Sequence, residues 1–243
     1  MQTYLIIAVV TFFAALVQAT MGFGGALVLI NMLPMFYPYS KSVAYVQGCI
    51  VLINFYYMIR YRDKIRWDVL TAALIPGVLL SLVFTFVSVT VNSATMEVLL
   101  GVLLIGLAIY YLLVVDKIKM KPSKTNGVIL GSFSGVTNAM FGMAGPPVAL
   151  YLTPSIDDNF EYFITCQTFF SCSSATCIAV RLYSGIYEVS DIPVLAMMIA
   201  IFFIGTVFGL KVIKKVDSKI LKKIIYVFIG LNGVYMFVMR LVG

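Results

Sequence analysis

Apolar residues follow one another in long runs along this chain, and short polar segments separate the runs. A transmembrane helix needs about 20 mostly apolar residues to cross the hydrocarbon core of a bilayer. The pattern therefore predicts an all-α integral membrane protein. The runs lie near residues 4–33, 42–59, 69–89, 96–115, 126–153, 162–183, 191–210 and 220–241.

Two of these runs are unusually long, and a cluster of glycine or proline interrupts each of them. They contain VQATMGFGGALVLINMLP at residues 17–34 and TNAMFGMAGPPVALYLTP at residues 137–154. The segments are offset by 120 residues, and the residues that match at this offset are mainly Gly, Pro and side-chain amides. We predict two repeats, residues 1–120 and 121–243. The matching pairs are Ala19–Ala139, Gly22–Gly142, Gly25–Gly145, Val28–Val148, Pro34–Pro154 and Gln47–Gln167, and Gln18 corresponds to Asn138.

Fourteen of the 17 basic residues cluster in three places, near 60–66, 117–124 and 211–223. The positive-inside rule assigns all three clusters to the cytoplasm. Eight simple crossings put the last cluster outside, whereas a fifth run that enters and leaves on the same side keeps it inside. The alternative is eight ordinary spans with one basic loop that breaks the rule.

We therefore predict two inverted repeats, each with a broken re-entrant helical hairpin of two half-helices and three transmembrane helices. Both termini are then extracytoplasmic. The first repeat has hairpin 4–33 and spans 42–59, 69–89 and 96–115. The second repeat has hairpin 126–153 and spans 162–183, 191–210 and 220–241.

Composition narrows the function. The chain is 62% hydrophobic and 11% charged, which excludes most soluble enzymes and nucleic-acid binders. It has no His, and its four Cys match no zinc spacing, so we expect no metal site, no cofactor and no enzymatic activity. There is no P-loop for an ATP-driven motor. The expected setting is the cell (inner) membrane, with several passes through the lipid bilayer.

The broken segments carry the candidate chemistry. A glycine-rich break leaves backbone N–H groups free and lets a ligand approach the backbone closely. A half-helix that begins near Ala26 or Pro146 also directs its positive N-terminal end at the break. Two such ends predict a site for a small anion, with neutral side chains as additional donors. The alternative is that the glycines only allow close helix packing and the amides only link helices. The predicted binding residues are Gln18, Thr20, Gly22, Phe23, Gly24, Gly25, Gln47, Asn138, Gly142, Met143, Ala144, Gly145 and Gln167.

Ionisable residues are almost absent from the centres of the runs. Arg181, near the end of the sixth run, either extends to the membrane interface or acts as a gate or second anion contact. Lys41 and Glu161 are repeat partners without an assigned role. No buried carboxylate indicates a proton relay, so a coupling proton would use a peripheral group or travel on the substrate.

The first motif, QATMGFGGALVLINMLP, and its counterpart NAMFGMAGPPVALYL resemble the sulfite exporter TauE/SafE family, also called the toluene sulfonate uptake permease group. The resemblance covers essentially the whole chain, although Met143 and Ala144 interrupt the second glycine cluster. It implies transport of sulfite, a sulfonate or a related organic acid. The function we expect is a secondary permease for such an anion, working by alternating access. An anion channel is the alternative, and a coupling proton or ion and a homo-oligomer stay open.

Overall fold

The computed structural model describes residues 2–114 and 122–212, together with residues 227, 230, 231, 233 and 234. This part of the chain is helical and contains no strand, as expected for an all-α protein. A π-helical turn, Tyr110–Val114, extends the fifth helix. The α-helices are α1 (Gln2–Met21), α2 (Gly25–Met32), α3 (Tyr39–Arg60), α4 (Trp67–Thr90), α5 (Ser93–Ile109), α6 (Lys124–Phe141), α7 (Gly145–Leu152), α8 (Asn159–Tyr183) and α9 (Ile192–Val212).

Six helical segments of the described chain are long and apolar enough to cross a membrane. Five of them overlap predicted spans, and the sixth is α1. The prediction of a multi-pass helical membrane protein is confirmed at this level. The predicted span 220–241 lies outside the described residues, apart from the few single positions named above. The six segments are Gln2–Thr20, Tyr39–Arg60, Trp67–Thr90, Ser93–Leu113, Asn159–Tyr183 and Val189–Gly209.

Both long runs break at the predicted glycines, and their first helices end in the same way. Gly22 and Gly142 have φ angles of 77° and 71°, in the left-handed region that favours glycine. The N–H of Gly142 donates to the carbonyl of Asn138 at 2.9 Å, and the N–H of Gly22 donates to that of Gln18 at 2.9 Å. The same local geometry therefore ends α1 and α6, 120 residues apart.

The arms on either side of each break are unequal, which differs from the predicted pair of half-helices. α1 and α6 have 20 and 18 residues, whereas α2 and α7 have 8 each. At 1.5 Å per residue, α1 is about 30 Å long, close to the thickness of the hydrocarbon core. The first arm of each segment is long because its helix continues up to the first residue with a left-handed conformation, Gly22 or Gly142.

The helices pack in corresponding pairs. α1 lies against α9, α6 lies against α4, and α3 and α8 face each other at the centre. Small residues make the outer pairs close: a Cβ added at Gly209 would lie 2.6 Å from the Cβ of Ala19, and one added at Gly135 would lie 2.1 Å from the carbonyl oxygen of Gly77. Side-chain bulk at these contacts would force the helices apart.

Candidate functional site

A small cavity of about 30 Å³ lies among the breaks and the middle turns of α3 and α8. Its volume suits one or two waters or a very small anion. Its walls combine backbone, neutral amides and apolar side chains, and none of its lining residues is charged. They are Gln18, Phe23, Gly24, Ala26, Leu27, Val46, Gln47, Ile50, Asn54, Asn138, Gly142, Met143, Ala144, Gly145, Pro146, Phe170 and Ser174.

Most of the cavity wall consists of pairs offset by 120 residues. The same backbone break and the same faces of two helices therefore contribute from both halves of the chain. The pairs are Gln18–Asn138, Phe23–Met143, Gly24–Ala144, Ala26–Pro146, Ile50–Phe170 and Asn54–Ser174.

The first break leaves several backbone N–H groups without a hydrogen bond to the described residues. These are the N–H groups of Phe23, Gly24, Ala26 and Leu27. All four residues line the cavity, and Phe23 and Leu27 are only 6% and 1% exposed. Phe23, Gly24 and Leu27 are buried, whereas Ala26 is half-buried. Buried N–H groups almost always have a partner, so these groups together at one cavity indicate a place for water or a ligand.

The second break offers fewer donors. The N–H groups of Ala144 and Gly145 make no hydrogen bond to the described residues, and both residues line the cavity. The next two residues, Pro146 and Pro147, have no N–H at all. The first break therefore supplies more of the donors than the second.

Each break is held by a glutamine from the opposite half of the chain. Gln167 on α8 donates to the carbonyl of Gly22 at 2.9 Å and lies 3.4 Å from the amide of Gln18. Gln47 on α3 donates to the backbone carbonyl of Asn138 at 2.8 Å. Gln47 and Gln167 are offset by 120 residues, but their backbone acceptors are not: Gln167 donates to Gly22, and Gln47 donates to the counterpart of Gln18, Asn138.

The two breaks also touch each other directly. A Cβ added at Gly145 would lie 2.7 Å from the Cβ of Phe23, so the second break packs on the first. Within the first break, Gly25 lies against α1, and its N–H donates to the side chain of Gln18 at 3.1 Å. A larger residue at either glycine would collide with its neighbour at the cavity.

The predicted binding residues divide into two groups. Gly22, Gly25 and Gln167 lie behind the cavity wall and support it, and the N–H of Gly25 is not free because Gln18 accepts it. Thr20 is not part of the wall, since its hydroxyl donates to the carbonyl of Val17 at 2.9 Å, a bond that a helical Thr can make on its own helix. The wall itself includes Gln18, Phe23, Gly24, Gln47, Asn138, Gly142, Met143, Ala144 and Gly145.

Sequence reasoning missed two polar residues of the wall, Asn54 and Ser174. Each lies seven residues, about two helical turns, after a predicted glutamine and therefore on the same helix face. They are also offset from each other by 120 residues. The repeat and the helical period together could have found them.

Arg181 does not extend to the membrane interface, because the residue is only 1% exposed. Its Nε donates to Oε1 of Gln47 at 3.1 Å, and its Nη2 donates to the carbonyl of Ala139 at 2.7 Å and lies 3.3 Å from Oγ of Ser88. The guanidinium thus contacts Gln47, which is part of the wall, and the carbonyl of Ala139, the residue after Asn138.

Charged residues form a cluster where α3 begins and α8 ends. Nζ of Lys41 lies 3.0 Å from Oε1 of Glu188 and 3.0 Å from Oδ1 of Asp191, and the hydroxyl of Tyr45 donates to that same Oδ1 at 2.6 Å. The Lys41 ammonium and the Ser190 hydroxyl hold the pKa of the Glu188 carboxyl below its ordinary value. We call this set the Lys41 cluster.

A second cluster lies where α3 ends and α8 begins. Nη2 of Arg66 lies 2.8 Å from Oδ2 of Asp68, and Nη1 of Arg66 lies 3.6 Å from Oε2 of Glu161. The backbone N–H of Arg66 also donates to the hydroxyl of Thr165 at 3.1 Å. We call this set the Arg66 cluster. Lys41 and Glu161 are offset by 120 residues, as are Asp68 and Glu188, so the two clusters join corresponding parts of the chain.

Six helices of the described chain, long and apolar enough to cross a membrane and packed around a small central cavity where two helix breaks meet, are typical of a multi-pass membrane transport protein. A family model described as sulfite exporter TauE/SafE matches residues 7–236, nearly the whole chain, and the chain belongs to this family of membrane transporters. The resemblance stated from the motifs is thereby confirmed, and membership is consistent with a chain that is not an enzyme. None of the curated proteins and none of the solved structures matches the chain.

Proposed function

We propose that this protein is a secondary transporter of a small anion in the inner cell membrane. Sulfite, an organosulfonate or a related organic acid is the proposed substrate. The observation that carries this proposal is the set of N–H groups at the cavity that have no acceptor among the described residues, in Phe23, Gly24, Ala26 and Leu27. Family membership supports transport, and the cavity supports an anion as the transported species.

The electrostatics of the cavity favour a negative guest. The N-terminus of α2 lies at the cavity and carries roughly half a positive charge. Gln18, Gln47 and Asn138 add amide dipoles, and no lining residue is an acid that would repel an anion. Neutral donors hold an anion more weakly than a direct ion pair does, and a transporter must also release its substrate.

The order of helix ends supports the re-entrant arrangement. The start of α3 meets the end of α8 in the Lys41 cluster, and the end of α3 meets the start of α8 in the Arg66 cluster. Because α4 and α5 are both long enough to cross, α6 begins at the end of the bundle where α3 stopped. Since α8 begins at that same end, the segment α6–α7 enters and leaves on one side.

The first broken segment follows the same logic. Ala15 and Ala19 of α1 pack on Gly205 and Gly209 of α9, so the two helices are parallel. α9 starts where α8 ends, which is also where α3 starts. α1 and α3 therefore begin at the same end of the bundle, and α1–α2 returns to the side that it entered. Two hairpins that enter from opposite sides correspond to the predicted inverted repeat. With eight ordinary spans, the ends of α3 and α8 that meet in the Lys41 cluster and in the Arg66 cluster would lie on opposite sides of the membrane.

Alternating access requires that the two ends of the bundle open in turn. We assign the Lys41 cluster to the extracytoplasmic gate and the Arg66 cluster to the cytoplasmic gate. Both clusters bridge α3 and α8, the central helices that line the cavity. Partly exposed ion pairs contribute about 0.2–1 kcal/mol each, which is weak enough to break and re-form during transport.

Binding to the purified protein tests the proposal. Sulfite, methanesulfonate, sulfate and acetate are added separately, and thermal unfolding is recorded. An anion at 100 times its dissociation constant stabilises the protein by about 2.7 kcal/mol. Gly145→Leu should remove this stabilisation, because its side chain collides with Phe23 at the cavity. Gly106→Leu is the matched control, since no atom lies within 4 Å of a Cβ added there.

The proposal fails if no anion stabilises the wild-type protein, or if Gly145→Leu binds and transports like Gly106→Leu. Flux into proteoliposomes separates a transporter from a channel. Slow, saturable uptake fits a transporter, whereas single-channel currents in a planar bilayer would establish the channel alternative.

A further inference from the structure

Arg181 carries a buried charge that none of the described carboxylates balances. Among described side chains at least nine-tenths buried, the charged ones are Arg181 and Asp191. Asp191 pairs with Lys41 at 3.0 Å, whereas no carboxylate of the described chain lies within 4.0 Å of the Arg181 guanidinium. All three groups that it contacts, in Gln47, Ala139 and Ser88, are neutral.

A buried guanidinium is costly unless something offsets its charge. The carbonyl of Ala139 lies in the last turn of α6, so the negative end of that helix dipole provides part of the compensation. A helix C-terminus supplies roughly half a negative charge. Within the part of the chain that the structure describes, a net positive charge therefore remains within one residue of the cavity wall.

The position of this charge connects it to the cavity. Arg181 contacts the Gln47 side chain and the peptide beside Asn138, and both residues line the wall. The side-chain oxygen of Gln47 accepts a hydrogen bond from Arg181. The side-chain NH2 group of Gln47 therefore faces the Asn138 carbonyl, to which it donates. The guanidinium thus orients one donor of the wall and adds a full charge behind it.

We propose that Arg181 is the fixed countercharge of the site, so that the substrate is a singly charged anion such as hydrogen sulfite, an organosulfonate or a monocarboxylate. The inference rests on the proposed function. One guanidinium and one monoanion leave the buried site nearly neutral. A dianion leaves an excess negative charge, and an uncharged molecule leaves the guanidinium unbalanced. Arg181 acts as a positioning residue that selects the charge of the ligand.

Three solutes of similar tetrahedral shape test this assignment: dimethyl sulfone is neutral, methanesulfonate carries one negative charge and sulfate carries two. Their affinities are measured on the purified wild-type protein and on Arg181→Lys and Arg181→Gln. Wild type should bind methanesulfonate about tenfold or more tighter than either other solute. Arg181→Lys should keep that order. Arg181→Gln should bind methanesulfonate about tenfold more weakly and should bind dimethyl sulfone at least as well as wild type does.

A role limited to holding Gln47 in place would instead weaken all three solutes alike in Arg181→Gln, and that result would overturn the inference. The inference also fails if wild type binds sulfate as tightly as methanesulfonate, a comparison that needs no folded variant. If wild type binds neither anion, the proposed function itself fails, which distinguishes the two failures.

Discussion

Gly22 and Gly142 share one backbone conformation although 120 residues separate them. Their left-handed φ angles explain why both broken segments could be located from their clusters of glycine: the requirement is local and visible in the sequence. The direction of the Arg181 side chain was not predictable in this way. It depends on which face of α8 packs on α3 and α6, and a residue near a helix end is equally compatible with an interfacial position.

Gly142→Ala should destabilise the protein. An L-residue in the left-handed region costs roughly 1–2 kcal/mol, and the new Cβ would lie 3.3 Å from Cγ1 of Val43. Gly106→Ala, in an open position inside α5, should instead stabilise the protein by up to about 1 kcal/mol. Thermal unfolding of the two purified variants checks both signs. Equal unfolding temperatures would contradict the helix stop assigned to Gly142.

At the scale of elements, glycine has two separate uses in this chain. Gly22 and Gly142 end helices, whereas Gly131 and Gly135 lie inside α6 and bring it close to α4. The sequence shows glycine at all four positions but does not distinguish these uses. Because of that ambiguity, the sequence did not predict the observed lengths. The structure has long helices of 20 and 18 residues followed by short helices of 8, where two half-helices were predicted in each segment.

The Lys41 cluster allows a prediction about α3 and α8. Lys41→Glu should impair transport, because it places an acid beside Glu188 and Asp191 and weakens the closed state of that end. Adding Glu188→Lys should restore part of the transport rate, since the attraction between the two positions is re-formed. The measurement is initial uptake by proteoliposomes containing each single variant and the pair. Strictly additive losses would show that the contact does not act as a gate.

The pH response of this contact follows from the lowered pKa of Glu188. A carboxyl whose pKa is lowered in the folded protein contributes stability above its unfolded pKa and loses it as the pH falls through the folded value. The Lys41–Glu188 ion pair therefore persists at neutral pH and at a pH equal to the ordinary pKa of a glutamate. It weakens only at lower pH.

At the scale of the whole molecule, the 120-residue offset could be recognised in the sequence. Few residue types suit a helix break or supply neutral polar groups to a cavity, so Gly, Pro and amide residues match at this offset. The offset anticipated Gln18, Gln47 and Asn138 in the wall, and it could have added Asn54 and Ser174. The cross-repeat contacts Gln47–Asn138 and Gln18–Gln167 were not predictable, because they depend on how the two halves pack together.

The orientation of the two halves can be tested by cysteine labelling from outside intact cells. Cys49, Cys166, Cys172 and Cys177 are first replaced, and single reporters are placed at the exposed positions Ser123 and Ser184. With inverted repeats, Ser184→Cys should react with an impermeant reagent and Ser123→Cys should be protected. Asn92→Cys is the control, since the turn between α4 and α5 is external in both arrangements. Protection of Ser184→Cys would support eight ordinary spans.

The close contact between α1 and α9 has a consequence for biosynthesis. Ala15 packs on Gly205, which the ribosome adds 190 residues later. At about 5–20 residues per second, α1 waits roughly 10–40 s for its partner. During that time Gln18 also lacks Gln167, so a polar amide sits in newly inserted chain without its final acceptor. α1 is therefore synthesised well before α9, and it reaches its native surroundings only after α9 has been made.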